Sequence, residues 1–96
     1  KFSEEDIIKN LKKIEGWTVK DDLLSIFKTY IFKNFKEAFS WMTSVSIEAE
    51  RLDHHPEWSN VYNKVAVNLS THDVSGLSKK DIELASFMDQ EFKKWQ

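Results

Sequence analysis

Three imidazoles and a group of nearby carboxylates are the residues of this chain best suited to chemistry. Of the three histidines, His54 and His55 stand side by side in Glu50-Arg51-Leu52-Asp53-His54-His55-Pro56-Glu57-Trp58. The third, His72, lies in Ser70-Thr71-His72-Asp73. Imidazole has an unperturbed pKa of ~6.5, so it can give or take a proton near neutral pH. One neutral and one protonated histidine would form a base–acid pair. Glu50, a helical turn before His54, could orient an imidazole, and so could Asp53.

Other chemistries find less support. The chain has no cysteine, which excludes disulfides, a thiolate nucleophile and thiolate metal ligands. No serine sits in a Gly-x-Ser-x-Gly elbow. Gly-x-Gly-x-x-Gly and the P-loop are also missing. Three histidines and an acid could bind zinc, but adjacent histidines chelate one ion poorly. No His-x-His or His-x-x-x-His pair is present, so no metal is expected. The bland alternative is that His-His-Pro forms a capped, solvated corner at a helix end. That reading weakens if the fold returns His72 to the pair.

Periodicity and capping define the elements that would do so. Ser3 with Asp6 reads as a capping box, and Ile7, Ile8, Leu11 and Ile14 recur at helical spacing. This predicts a first helix over 4–15, capped by Gly16. Trp17 to Lys20 is short and β-prone, Asp21-Asp22 reads as a turn, and Leu23 to Phe32 reads as the second strand. That strand is apolar on both faces, so a second layer or another subunit should cover it twice. Asn34 and Glu37 repeat the capping logic before a helix over 35–52. Its stripe is Phe35, Ala38, Phe39, Met42, Val45, Ala49 and Leu52, with Trp41 at the core edge. Pro56 cannot extend the helix. Trp58 to Tyr62 and Val65 to Thr71 alternate as strands around a turn at Asn63-Lys64. Ser78 with Asp81 caps a last helix over 79–95, whose stripe is Ile82, Ala85, Met88, Phe92 and Trp95.

The expected class is α+β, in the order α-β-β-α-β-β-α. A four-stranded antiparallel sheet should carry three helices on one face, as one domain over 1–96. A turn at Asn63-Lys64 would place His55 opposite His72 and His54 opposite Asp73, with paired Cβ atoms ~5 Å apart. Val65, Val67 and Leu69 would face the helices, opposite Trp58 and Tyr62. His55 and His72 would point away from that layer.

Composition narrows the partners. The net charge is -2, and lysines alternate with acids, so a phosphate-backbone interface is not expected. No apolar run approaches the ~20 residues of a membrane span. The start, Lys1 to Asp6, is acidic and unlike a secretory or transit peptide. With no cysteine, a reducing compartment fits.

The run Glu50…His54-His55-Pro56-x-Trp58…Tyr62-Asn63-Lys64-Val65, then Ser70-Thr71-His72 and Gly76-Leu77-Ser78-x-x-Asp81, closely resembles the pterin-4a-carbinolamine dehydratases. The last helix, Asp81-Ile82-x-Leu84-Ala85-Ser86-Phe87, is similar as well. In animals that family doubles as a dimerisation cofactor of a homeodomain transcription factor. The resemblance implies loss of water from 4a-hydroxytetrahydrobiopterin to give quinonoid dihydropterin, in support of tetrahydrobiopterin recycling. It implies no metal or organic cofactor, a homotetramer built as a dimer of dimers, and a cytoplasmic or also nuclear location. A transcription-factor partner is the alternative role. His54 and His55 are then the acid–base pair, with His55 ranked first. His72 would bind and orient the pterin and share in proton transfer, while Glu50 and Asp53 tune the imidazoles. Pro56, Thr71, Asp73 and Val74 would line the pterin pocket. Asp81 would support the site electrostatically or serve only as a helix cap. Lys80 replaces an arginine of some relatives, which would remove any bidentate contact there.

Overall fold

A computed structural model of the chain describes residues 1–20 and 23–96. The turn expected at Asp21-Asp22 lies outside the described residues. Among the described residues the elements follow the expected order: α1 (Glu4–Leu11), β1 (Thr18–Lys20), β2 (Ser25–Ile31), α2 (Phe35–Leu52), β3 (Glu57–Val61), β4 (Lys64–Leu69) and α3 (Lys79–Phe92). Short 3-10 turns add His72–Val74 and Lys93–Trp95. The sheet is antiparallel throughout, in the order β1-β2-β4-β3.

Side-chain caps explain where the helices begin. Ser3 and Asp6 form a reciprocal capping box at α1, and Ser78 and Asp81 form another at α3. Each satisfies backbone N–H groups that a helix leaves free. At α2, Asn34 accepts from Glu37 N–H at 2.9 Å. The bounds of α2 are those expected from the sequence. α1 is shorter than the expected 4–15. Lys13 N–H bonds Asn10 O and Ile14 N–H bonds Leu11 O, a tightened turn that buries Ile14 in the core. Gly16, at φ 79, supports the following loop and does not cap the helix. α3 gives way to the 3-10 turn at Lys93, short of the expected residue 95.

One face of the sheet presents Ile26, Tyr30, Val65, Val67 and Leu69, all buried against Ala38, Trp41, Val45 and Ala49 of α2 and Leu84, Ala85 and Met88 of α3. Burying a side chain of the Val, Leu or Met size contributes about 1.5–3 kcal/mol. The α2 stripe differs from expectation. Trp41 is completely buried, and its Nε1–H donates to Met88 O at 3.1 Å. Phe35 and Phe39 are half exposed, at 49% and 54%. A buried indole needs a partner for its N–H, and the carbonyl of Met88 draws Trp41 inward.

The β3–β4 turn falls at Tyr62-Asn63 rather than Asn63-Lys64. Val61 pairs with Lys64 and Trp58 with Val67. The pairing is therefore two residues away from the expected register. A shift of two keeps every side chain on its expected face. Asn63 explains the choice: its Nδ2–H donates to Phe32 O at 2.9 Å, and its carbonyl accepts from Phe32 N–H at 2.8 Å. The turn is stapled to the end of β2. Tyr62, expected opposite Val65 under the helices, is instead exposed in the turn at φ 51.

Candidate active site

The site begins where α2 ends. Asp53 takes the left-handed conformation at φ 51, and His54 N–H reaches back to Ala49 O at 2.9 Å. This reversal turns His54 towards the first turn of α3. There His54 Nε2 lies 2.6 Å from Asp81 Oδ1, with both residues buried. The other carboxylate oxygen of Asp81 accepts from Ser78 N–H at 3.0 Å and from Thr71 Oγ1–H at 2.7 Å. Ser78 Oγ lies 2.6 Å from Thr71 Oγ1 and gives it the remaining hydroxyl hydrogen. With Asp81 acting as acceptor throughout, the network assigns the His54 hydrogen to Nε2. Nδ1 is then the ring nitrogen available to exchange a proton. Asp81 is thus a helix cap and an imidazole holder at once.

His55 and His72 are exposed. His55 Nε2 lies 2.5 Å from Glu50 Oε1, so the pairing expected from Glu50 is made. His72 sits on the 3-10 turn that follows β4. A bridge between Thr71 and Gly76 closes that loop, through Thr71 N–H to Gly76 O at 2.7 Å. Its Nε2 is 3.7 Å from Glu57 Oε1, an ion-pair distance rather than a hydrogen bond. Each imidazole therefore has its own carboxylate.

The expected facing of His55 with His72, and of His54 with Asp73, is not made. The β3–β4 ladder stops at Glu57 and Asn68, before any histidine enters it. The three imidazoles meet instead because the α2 reversal and the 3-10 turn bring loop residues to the same end of the sheet. All three line a cavity of about 190 Å³, together with Asp53, Thr71, Asp73 and Lys80. Pro56 and Val74 are not part of that wall, although each adjoins a residue that is. Asp53 lines the cavity but pairs with no imidazole; its geometry makes it the pivot of the reversal. Glu57 is the carboxylate that sequence reasoning missed. Its place directly after Pro56 was the only signal. Among the described residues, no group of three or more His, Asp and Glu is arranged to hold a metal ion.

Residues 1–91 match the family described as Pterin 4 alpha carbinolamine dehydratase. The chain belongs to that family. A relative from Sinorhizobium fredii (strain NBRC 101917 / NGR234), provisionally named a pterin-4-alpha-carbinolamine dehydratase, is 54% identical over 90 residues. The match covers 94% of this chain and 86% of the relative. A second, from Rhizobium meliloti (strain 1021) and named likewise, is 56% identical over 84 residues, covering 88% and 81%. A crystal structure of a transcriptional coactivator/pterin dehydratase from Brucella melitensis superposes with a TM-score of 0.92 at 37% identity, covering 95% of this chain and 97% of that one. A pterin dehydratase-like RuBisCO assembly factor of the α-carboxysome, at 14% identity and a TM-score of 0.70, shares the fold over 81% of this chain and 90% of its own.

Proposed function

We propose that this dehydratase-family chain removes water from a 4a-hydroxytetrahydropterin by histidine acid–base catalysis, in support of tetrahydrobiopterin recycling. The observation that carries the reading is three imidazoles on one cavity, two of them hydrogen-bonded to carboxylates and the third, His72, 3.7 Å from Glu57. Dehydration breaks the C4a–O bond and removes a proton from a ring nitrogen. The lone pair left on nitrogen forms the new C=N bond, and the hydroxyl leaves as water after receiving a proton. The step needs a base and an acid but no nucleophile.

His54 is the base in this scheme. Asp81 holds its Nε2–H and stabilises the imidazolium that forms when Nδ1 takes the ring proton, the arrangement of other His–Asp pairs. His55, with Glu50 against it, delivers a proton to the leaving oxygen. His72 binds the ring and shares in proton movement. Asp53 and Asp73 offer acceptors to the aminopyrimidinone edge, and Thr71, Pro56 and Val74 shape the approach. The reading calls on no metal or organic cofactor.

The test is the rate of carbinolamine dehydration by the wild type and by His54→Ala, His55→Ala and His72→Ala. Loss of a general acid or base removes about 10²-fold or more. Full activity in all three folded variants would end the scheme.

Assembly as a homotetramer belongs to the same proposal. Phe35 and Phe39 lie with ring centroids 5.7 Å apart, tilted at 47°, on the exposed face of α2, where Ile47 is also exposed. A second copy of α2 would bury them. The alternative role, a dimerisation cofactor of a transcription factor, draws on that face too and is favoured by the description of the Brucella melitensis protein as a coactivator. A histidine-deficient variant that still captured a factor's dimerisation helix would separate the two roles.

A further inference from the structure

Strand β2 interrupts its own apolar face. Ile26 and Tyr30 are buried in the core, and Lys28 stands between them on the same side of the sheet. The Lys28 side chain is only 18% exposed, and its ammonium meets Asp89 Oδ1 at 2.7 Å, where the carboxylate is 17% exposed. Nζ also donates to Glu15 O at 2.7 Å. Gly16 makes room for this path: a Cβ there would come within 3.3 Å of Lys28 Cε and Nζ. Asp89 accepts from Tyr30 Oη–H and Trp17 Nε1–H as well. Apolar residues of similar volume often match or exceed the stability that a buried ion pair provides. Folding alone therefore gives little reason for a lysine at this position.

The pair opens onto a cavity of about 260 Å³, walled also by Glu15, Gly16, Phe92 and Lys93. It shares no residue with the histidine cavity. Drug-sized sites begin at ~300 Å³, so this one suits a smaller ligand. The charges of its wall balance, two carboxylates against two ammonium groups. Lys28 spends two of its three N–H donors on Glu15 O and Asp89, which leaves one for a ligand. The Glu15 carboxylate comes from the loop after α1 and the Lys93 ammonium from the end of α3. Neither makes an ion pair among the described residues, although both border this cavity. Phe92, half-buried against Tyr30 with ring centroids 5.0 Å apart, adds an apolar side.

We infer that this cavity binds a free amino acid with an apolar side chain. The ligand's carboxylate accepts from the remaining N–H of Lys28 and from Lys93. Its ammonium group donates to the Glu15 carboxylate, and its side chain lies against Phe92. A lone anion would meet the carboxylates of Glu15 and Asp89, and a lone cation the ammonium groups of Lys28 and Lys93. Each half is thus opposed by like charge, whereas a zwitterion satisfies both signs at once. Asp89 and Glu15 O already fix the Lys28 ammonium, so the ligand meets a group that needs no ordering. The site is separate from the proposed dehydration and does not depend on it.

The experiment titrates the full chain at neutral pH with L-leucine, with 4-methylpentanoate, which lacks the ammonium group, and with 3-methylbutylamine, which lacks the carboxylate. Binding is read from backbone amide chemical shifts. The proteins are the wild type, Glu15→Gln and Lys93→Gln; both substitutions fall on exposed side chains, and the amide spectra show that the variants fold. L-leucine should saturate shifts at Gly16, Lys28 and Lys93 and leave those of His54 and His72 in place. The wild type should bind it about 10-fold tighter than either half-ligand, the scale of one hydrogen bond to a charged group. Glu15→Gln should remove the preference over 4-methylpentanoate, and Lys93→Gln the preference over 3-methylbutylamine. No saturable shift with L-leucine, shifts confined to the histidine cavity, or a half-ligand bound as tightly as L-leucine by the wild type would each overturn the inference. So would an affinity unchanged in both variants.

Discussion

At the scale of single residues, Asp81 is where folding and chemistry meet. Its carboxylate accepts from Ser78 N–H, Thr71 Oγ1–H and His54 Nε2–H while fully shielded from water. A buried acceptor with three donors is costly to remove, since the donors are left without partners. Asp81→Asn keeps the shape but exchanges one acceptor oxygen for a donor nitrogen. It should lower kcat by about 10²-fold or more, because His54 loses the group that fixes its tautomer. It should also destabilise the fold by about 1–3 kcal/mol. Steady-state kinetics and urea unfolding read the two effects separately. A variant with unchanged kcat would reduce Asp81 to a helix cap. The sequence showed Asp81 as a capping residue and left its second role open, because spacing to Ser78 says nothing about a histidine 27 positions earlier. Glu57 was missed for a similar reason: its link to His72 depends on where β4 ends.

At the scale of elements, α2 was legible to the residue because Asn34 and the Pro56 stop bracket it clearly. The last hairpin was legible in faces but not in register. Asn63-Lys64 and Tyr62-Asn63 are equally plausible turns locally, and the deciding contact, Asn63 with Phe32, is tertiary. Tyr62 now holds a left-handed φ that favours glycine. Tyr62→Gly should therefore leave stability equal or raise it by up to about 1 kcal/mol, and a marked loss in thermal unfolding would contradict the turn. Across the sheet, Asp89 accepts from Tyr30 Oη–H, Lys28 Nζ and Trp17 Nε1–H. Burial first, and then the hydrogen bond to Asp89, push the Tyr30 hydroxyl far above the ordinary phenol range. A proton held more tightly in the folded state stabilises fully below the unfolded value of ~10, and that stabilisation falls as pH rises above it. The urea midpoint should drop between about pH 9 and pH 11, and more steeply in the wild type than in Tyr30→Phe. Equal slopes would show that the Tyr30 hydroxyl does not carry this pH dependence.

At the scale of the whole molecule, the apolar surplus read from the sequence on β2 and α2 divides between two destinations. Part of it is core, through Ile26, Tyr30, Ala38 and Trp41. The remainder, Ile31, Phe35, Phe39 and Ile47, stays on the surface of a single chain. Periodicity cannot distinguish a face that packs on its own sheet from one that packs on another copy, which is why Trp41 and Phe39 exchanged places. In the proposed homotetramer, Phe39→Asp combined with Ile47→Asp should yield a smaller species in sedimentation velocity. A wild type already monomeric at micromolar concentration would contradict that assembly. The proposed dehydration of a 4a-carbinolamine by the histidines of this cavity needs no such assembly to be tested. The most direct measurement is the dehydration rate at neutral pH for the wild type, with and without a metal chelator, beside a folded His54→Ala/His55→Ala double variant. The expected wild-type rate is chelator-insensitive and well above the spontaneous one, and it falls to near the spontaneous rate in the double variant. A wild-type rate equal to the spontaneous one, or a double variant as active as the wild type, would contradict it.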